Sequence, residues 1–313
     1  MSLFKDEFTT KRVNKYISDG IWLSCNLFDD YMYLEYKEEG GYSSIHKVMN
    51  LENGEHMILK RSSKKDFENG CLKEHFNKKE HSNKKDIIIN HNLFPSKEAE
   101  YMVKVYNEFG GVKLHDYYDD DDHYILIMKD GGRSLEDLTF SHKKKILELV
   151  RYEAYQSNFF YKTYLKQIVN YMIKTYHIIK KIHDIGIHHN DLKPENILIN
   201  EENVIIIDYG VAKPVKKCYK NFKGTLEYIP YEYIINGSYK PWDHTIWCFG
   251  VMIHFLTLMQ YPFLNEEDLM NYNLNYEKID KLPKKVASLI YDCLKKDPLK
   301  RPLNLLERLE GLN

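Results

Sequence analysis

Net charge is almost absent from this chain: 45 Lys and Arg residues offset 46 Asp and Glu, for a formal charge of -1. No strong global field points to nucleic acid or a membrane surface as a partner. Arginine is scarce too. Six arginines, at 12, 61, 133, 151, 301 and 308, leave 39 lysines to carry almost all the positive charge. The five cysteines, at 25, 71, 218, 248 and 293, are scattered without a C-x-x-C pair, so neither a zinc site nor a disulfide framework is implied. A reducing setting, cytoplasmic or nuclear, is expected. The longest apolar run, Ile246 to Met259, contains His254 and is too short to span a bilayer; it predicts a buried core helix. Met1-Ser2-Leu3-Phe4-Lys5-Asp6 does not read as a signal peptide and lacks the glycine that myristoylation requires. What remains is the composition of a soluble globular enzyme, 43% hydrophobic and 29% charged over 313 residues. That length supports one large domain or two smaller ones.

Residues 31–60 predict strands and turns, with Asn53-Gly54 as a hairpin turn between Ser44–Met49 and His56–Lys60. A polar insertion rich in Lys, Asn and His follows at about 61–96. Ser96 is a candidate N-cap for a helix over 97–108, with Tyr101, Met102 and Val105 on one face. Strands are expected again at 112–118 and 123–128, with Asp119–Asp122 as their turn. Beyond 134 the pattern turns helical, most clearly over Tyr161–His183. A strand-rich part therefore precedes a helix-rich part, with no internal repeat.

The densest chemistry lies in His189-Asn190-Asp191-Leu192-Lys193-Pro194-Glu195-Asn196, with Asp208-Tyr209-Gly210 beginning twelve residues after Asn196. The set supplies what phosphoryl transfer needs. Asp191 can take a proton from a hydroxyl nucleophile, and Lys193 can neutralise charge on the moving group. Asn196 and Asp208 can each offer oxygen to Mg2+, a hard cation. Between them Ile197–Ile199 and Val204–Ile207 predict two short buried strands joined by a turn. These segments resemble the H-R-D-x-K-x-x-x-N and D-F-G motifs of eukaryotic protein kinases. The resemblance implies an α+β, two-lobed protein kinase fold. Residues 31–130 would form a small antiparallel-sheet lobe with one key helix, 131–313 a larger helical lobe, and 1–30 an N-terminal extension.

The same resemblance implies ATP and Mg2+ as cofactors and carries over a nucleotide site. Lys60, ending Met57-Ile58-Leu59-Lys60, matches the V-A-I-K lysine that holds the α- and β-phosphates. Its helix carboxylate is Glu98 or, alternatively, Glu100. Glu38 to Ile45 aligns with the phosphate-covering loop. Gly40 keeps the middle glycine and Gly41 follows it; Glu38 and Ser43 stand where the first and third glycines are usual. Ile45, Ile58 and Leu198 would line the adenine pocket and Met128 would guard its back. The backbone of Lys129 to Gly131 would pair with the adenine edge. The wording Gly132-Arg133-Ser134-Leu135-Glu136-Asp137-Leu138 is similar to the casein kinase 1 group.

Gly224-Thr225-Leu226-Glu227-Tyr228-Ile229-Pro230-Tyr231-Glu232 resembles the family's G-T-x-E-Y-x-A-P-E segment. It implies protein substrates, a contact of Thr225 with Asp191 and Lys193, and a structural ion pair between Glu232 and Arg301. Lys193 and Thr225 imply serine or threonine as the acceptor. Departures are present as well. Asn190 replaces the arginine that meets an activation-segment phosphate, and Asn221 stands where a phosphosite is common. Ile58 replaces a small residue. Thr245 replaces an aspartate that braces the catalytic loop, with Asp243 as a nearby substitute. Two readings stay open: an active protein serine/threonine kinase independent of activation-segment phosphorylation, or a pseudokinase scaffold. A small-molecule kinase of related fold does not account for the peptide-docking segment. Five lysines, at 213, 216, 217, 220 and 223, predict acidic or phospho-primed substrates.

Overall fold

The computed structural model describes residues 13–18, 21–25, 27–39, 43–64, 96–119, 122–150, 154–201, 203–274 and 276–312. Gly40, Gly41, Asp120, Asp121 and most of the polar insertion, 65–95, lie outside the described residues. The chain divides into two compact units, Met1–Asp130 and Gly131–Asn313.

The first unit is built on one antiparallel sheet. Its strands are β1 (Val13–Ser18), β2 (Ile21–Cys25), β3 (Tyr31–Glu39), β4 (Ser43–Asn50), β5 (His56–Ser63), β6 (Leu114–Asp119) and β7 (His123–Lys129), in the spatial order β2-β1-β6-β7-β5-β4-β3. The sheet thus begins before Tyr31: two strands come from the stretch set apart in the sequence as an N-terminal extension. A one-turn helix, α1 (Leu27–Asp30), leads into β3. Asn53-Gly54 makes the β4–β5 turn, with Gly54 at φ 72°, and Ser44 to Met49 pair with Arg61 to His56. Alternation along the strands sends Val48, Met57, Leu59, Ile125 and Ile127 to one face, where they form a core with Leu27, Tyr31 and Tyr118. Helix α2 (Lys97–Phe109) begins at Ser96, whose hydroxyl accepts from the Ala99 N–H at 3.2 Å. That cap satisfies a donor left free by the first turn.

The second unit is mainly helical. Helix α3 (Leu135–Val150) follows the short strand β8 (Arg133–Ser134), and α4 (Ala154–Asp184) is the long amphipathic helix. Strands β9 (Ile187–His188), β10 (Ile197–Asn200), β11 (Asn203–Ile206) and β12 (Lys213–Pro214) make two small sheets, β11-β10-β8 and β12-β9. Helices α5 (Tyr231–Asn236), α6 (Pro241–Leu258), α7 (Glu266–Asn271), α8 (Tyr276–Ile279), α9 (Lys284–Cys293) and α10 (Leu305–Glu310) complete the unit. The apolar run forms α6, whose Ile246, Trp247, Phe249, Val251, Met252 and Leu256 are all buried. A helix apolar on every side belongs in a core. Gly250 lets α9 approach closely, since a Cβ there would meet the Cys293 Cβ at 2.7 Å. Among the described residues no helix is long and apolar enough to cross a membrane.

Candidate active site

In an antiparallel pair, residues in register share a face. Ile45 pairs with Lys60 and Lys60 with Leu126; the next row runs Lys47, Ile58, Met128. Ile45, Ile58, Lys60 and Met128 therefore line one face of the sheet, opposite the apolar core. The Lys60 ammonium meets the Glu98 carboxylate at 2.7 Å, and both residues are buried. Glu100, the alternative partner, instead accepts from the exposed Lys97 at 2.6 Å. Ser43 pairs with Ser62 at the start of β4. The Lys129 N–H donates to the Lys113 carbonyl, and its side chain pairs with Glu55 at 2.9 Å.

In the second unit, His189-Asn190-Asp191 leaves β9 through a left-handed Asn190, at φ 68°. Asparagine tolerates that region better than most residues. The buried His189 Nε2 lies 2.9 Å from the Ile207 carbonyl and its Nδ1 lies 3.3 Å from the Asp191 amide nitrogen. A carbonyl can only accept and an N–H can only donate here. The ring is thus neutral, with its proton on Nε2, and burial lowers its pKa. It ties the Asp191 loop to the backbone just before Asp208. The 3-10 turn Pro194–Asn196 leads into the β10–β11 hairpin, where Ile197 pairs with Ile206. The Ile207 N–H donates to the Asn196 carbonyl at 3.0 Å, so Asn196 and Asp208 leave the same end of the hairpin. Asp208 is also left-handed, at φ 64°, and accepts from the Gly210 N–H at 3.2 Å. Leu198 sits half-buried beside Ser134 of β8, three residues beyond Gly131.

The Asp191 carboxylate is bonded on both oxygens. Oδ1 accepts from the Thr225 N–H and hydroxyl, each at 2.8 Å. Oδ2 accepts from Asn196 Nδ2 at 3.1 Å and lies 3.5 Å from the Lys193 ammonium. Lys193 in turn donates to Thr225 Oγ1 at 2.8 Å. Asn196 thus spends its amide nitrogen on Asp191, which leaves Oδ1 as its end for a cation. Gly224 is needed for this approach: a Cβ there would meet the Asn190 carbonyl at 2.6 Å and Asp191 Oδ1 at 3.4 Å. Asp191, Lys193, Asn196 and Thr225 therefore form one hydrogen-bonded group, with Asp208 one residue beyond the Asn196–Ile207 bond.

Around this group the fold makes contacts that carried no signal in the sequence. Thr245 does not reach the catalytic loop; its hydroxyl donates back to the Pro241 carbonyl at 3.1 Å. The bond into the strand before that loop comes from its neighbour His244. His244 Nε2 lies 3.2 Å from the Tyr228 carbonyl and its Nδ1 lies 3.2 Å from His188 Nε2. Burial lowers the His244 pKa to about 3 and holds that of His188 well below its ordinary value. A neutral His244 donating to Tyr228 therefore accepts from His188. Asn190, noted only for the arginine it replaces, donates to the Val211 carbonyl at 3.3 Å and to the Lys223 carbonyl, and accepts from the Tyr239 hydroxyl at 2.5 Å. Tyr219 is buried and donates to the Pro214 carbonyl at 2.5 Å. The ion pair the sequence did imply, Glu232 with Arg301, is present and two-pronged at 2.9 and 2.5 Å, with Arg301 also donating to the Asp243 carbonyl. Such a planar fork matches a carboxylate on two bonds at once.

The family model for the protein kinase domain matches residues 38–306. The chain is 49% identical over 325 residues to the "Putative serine/threonine-protein kinase 040L" of Invertebrate iridescent virus 3, covering 100% of this chain and 97% of that protein. It is 28% identical over 193 residues to the serine/threonine-protein kinase PSK2 of Saccharomyces cerevisiae, covering 61% of this chain and 16% of that one. Against the serine/threonine-protein kinase pim-2 of Danio rerio, identity is 30% over 142 residues, 44% of this chain and 43% of that one. With its antiparallel sheet, its helical second unit and these matches, the chain belongs to the protein kinase family, serine/threonine type.

Proposed function

We propose that this protein transfers the γ-phosphoryl group of ATP to serine or threonine hydroxyls of protein substrates, without phosphorylation of its own activation segment. The observation that carries the reading is the doubly anchored Asp191 carboxylate, bonded to Thr225 and Asn196 with the Lys193 ammonium 3.5 Å away. Such anchoring fixes a general base before the substrate arrives and removes the cost of orienting it during reaction. Asp191 takes the proton of the incoming hydroxyl. Lys193 holds negative charge on the transferred group, and Thr225 keeps the two side chains apart and aligned. Lys60, oriented by Glu98, holds the α- and β-phosphates.

The donor set fits Mg2+. Asn196 Oδ1 and the Asp208 carboxylate are hard oxygens, and an ion that keeps waters and phosphate oxygens needs only one or two protein ligands. Bound there, the metal would neutralise charge on the phosphate oxygens.

Independence from activation-segment phosphorylation has its support in Tyr219 and Asn190. Tyr219 is the only hydroxyl-bearing residue between Gly210 and Gly224, and it is buried with its hydroxyl donated to Pro214. Asn190 bonds the segment through neutral groups. For substrate preference, Lys216, Lys217 and Lys220 are exposed and Lys223 half-exposed. Lys213 keeps its charge while donating to the Asn221 carbonyl at 2.7 Å, so all five lysines add to a field that would draw acidic or already phosphorylated peptides.

Asp191→Asn and Asp208→Asn test the roles. Asp191→Asn should lower transfer by roughly a thousandfold or more, of the order that loss of a general base contributes, and leave the Mg-ATP thermal shift in place. Asp208→Asn should lose that shift as well. Full transfer by either purified variant would sink the assignment.

A further inference from the structure

Asn190 and Tyr239 are both buried, each 2% exposed, and their side chains meet at 2.5 Å. The Asn190 amide nitrogen bonds two carbonyls, Val211 at 3.3 Å and Lys223. Val211 directly follows Asp208-Tyr209-Gly210, and Lys223 directly precedes Gly224-Thr225. One amide thus holds the start and the end of the activation segment, and the end it holds delivers Thr225 to Asp191.

An amide in this setting works only one way round. If it flipped, its oxygen would face the two carbonyl oxygens and its N–H groups would lose their acceptors. The two carbonyls set the working orientation, and the Tyr239 hydroxyl holds the amide in it. With Nδ2 turned to the two carbonyls, Oδ1 faces the Tyr239 hydroxyl and accepts from it at 2.5 Å, while the Asn221 carbonyl is a more distant acceptor at 3.5 Å. The hydroxyl is itself rigidly delivered. Tyr239 pairs with Tyr219 through two backbone bonds of 2.8 and 3.0 Å. Its ring packs on Tyr219, Phe222, Tyr233 and His244 at centroid distances of 5.1 to 5.8 Å.

We propose that Tyr239 is a positioning residue for phosphoryl transfer: its hydroxyl fixes the Asn190 amide, which holds the activation segment against the catalytic loop without a phosphate. The proposal rests on the kinase reading above and deepens it, since it names what stands in for a phosphate-and-arginine clamp.

Tyr239→Phe keeps the ring packing and deletes only the hydroxyl. In this variant kcat should fall by about ten- to a hundredfold, while KM for ATP stays close to that of the unaltered protein and the thermal midpoint falls only modestly, as loss of one buried hydrogen bond requires. Because the hydroxyl works through Asn190, the Tyr239→Phe/Asn190→Ala double variant should be no slower than Asn190→Ala alone. An unchanged kcat in Tyr239→Phe, or losses that multiply in the double variant, would overturn the proposal. Hydrogen–deuterium exchange separates this from failure of the kinase reading. Even if the unaltered protein transfers no phosphate, Tyr239→Phe should speed amide exchange across residues 211–225; unaltered exchange there refutes the clamp.

Discussion

At Lys60 an ammonium sits almost out of water, its side chain 9% exposed against 3% for the Glu98 side chain. Removing one charge from such a pair takes from the other its buried partner, at a typical cost of ~3–5 kcal/mol. Glu98→Gln should therefore raise KM for ATP by about tenfold or more, a change of roughly 1.4 kcal/mol or above in binding, and also lower the thermal midpoint. Glu100→Gln breaks only a surface pair with Lys97, for which about 0–1 kcal/mol is usual, so its kinetics should stay within a factor of about two. Equal effects of the two substitutions would contradict this account. The distinction between Glu98 and Glu100 was only partly legible in the sequence. Helical spacing puts Tyr101, Met102 and Val105 on the inward face with Glu98, yet a carboxylate two residues on is an equally good ligand on paper. Asn190 was legible as a missing arginine but not as a new bond, because its partners, Val211, Lys223 and Tyr239, come together only through the fold.

At the scale of elements, local signals carried far. Ser96 caps α2 as its side-chain chemistry demands, and Asn53-Gly54 turns β4 into β5. The β10–β11 hairpin holds Asn196 and the Asp208 segment together. The strands before Tyr31 were missed because β1 and β2 gain their place from pairing: β1 reaches the sheet through Asn14 with Asp119 and Lys15 with Tyr118. Tertiary pairing of this kind overrides weak local pattern. The activation segment carries its own prediction. Lys216, Lys217 and Lys220 are exposed, so their field adds to encounter with anionic peptides and fades as salt screens it. On a peptide array, acidic or phosphorylated flanking residues should be preferred, and a Lys216→Ala/Lys217→Ala/Lys220→Ala variant should lose that preference. A profile unmoved by the substitutions refutes the electrostatic account.

For the whole molecule, acid sensitivity follows from histidines buried in the neutral form. Burial lowers the pKa values of His188, His189 and His244, His244 to about 3, and that of His254, further along α6, to about 4. The unfolded chain takes up these protons near pH 6.5, whereas the folded protein resists them until much lower pH. Their contribution is therefore complete above about pH 6.5 and is lost progressively as pH falls from there toward the folded values. For His244 the loss between pH 7 and pH 5 is roughly 2 kcal/mol. Carboxylates mostly titrate below this window, so thermal midpoints at pH 7, 6 and 5 should fall stepwise. A flat profile would mean these rings are not held neutral. The folded protein keeps His189 neutral through this window, so its bonds to Ile207 and Asp191, and transfer with them, should survive until the protein itself begins to unfold.

The proposed function requires the catalytic group to stand assembled around Asp191 with no phosphate on the activation segment. The most direct measurement uses the full chain, produced without co-expressed kinases and verified as unphosphorylated by mass spectrometry. It is incubated with γ-labelled ATP, Mg2+ and a protein substrate panel, beside Asp191→Asn, and the product is hydrolysed for phosphoamino acid analysis. The unaltered protein should place label on serine and threonine at once, without a lag, and Asp191→Asn essentially none. No transfer by the unaltered protein to any substrate, or transfer only after phosphorylation of Tyr219, would contradict that requirement.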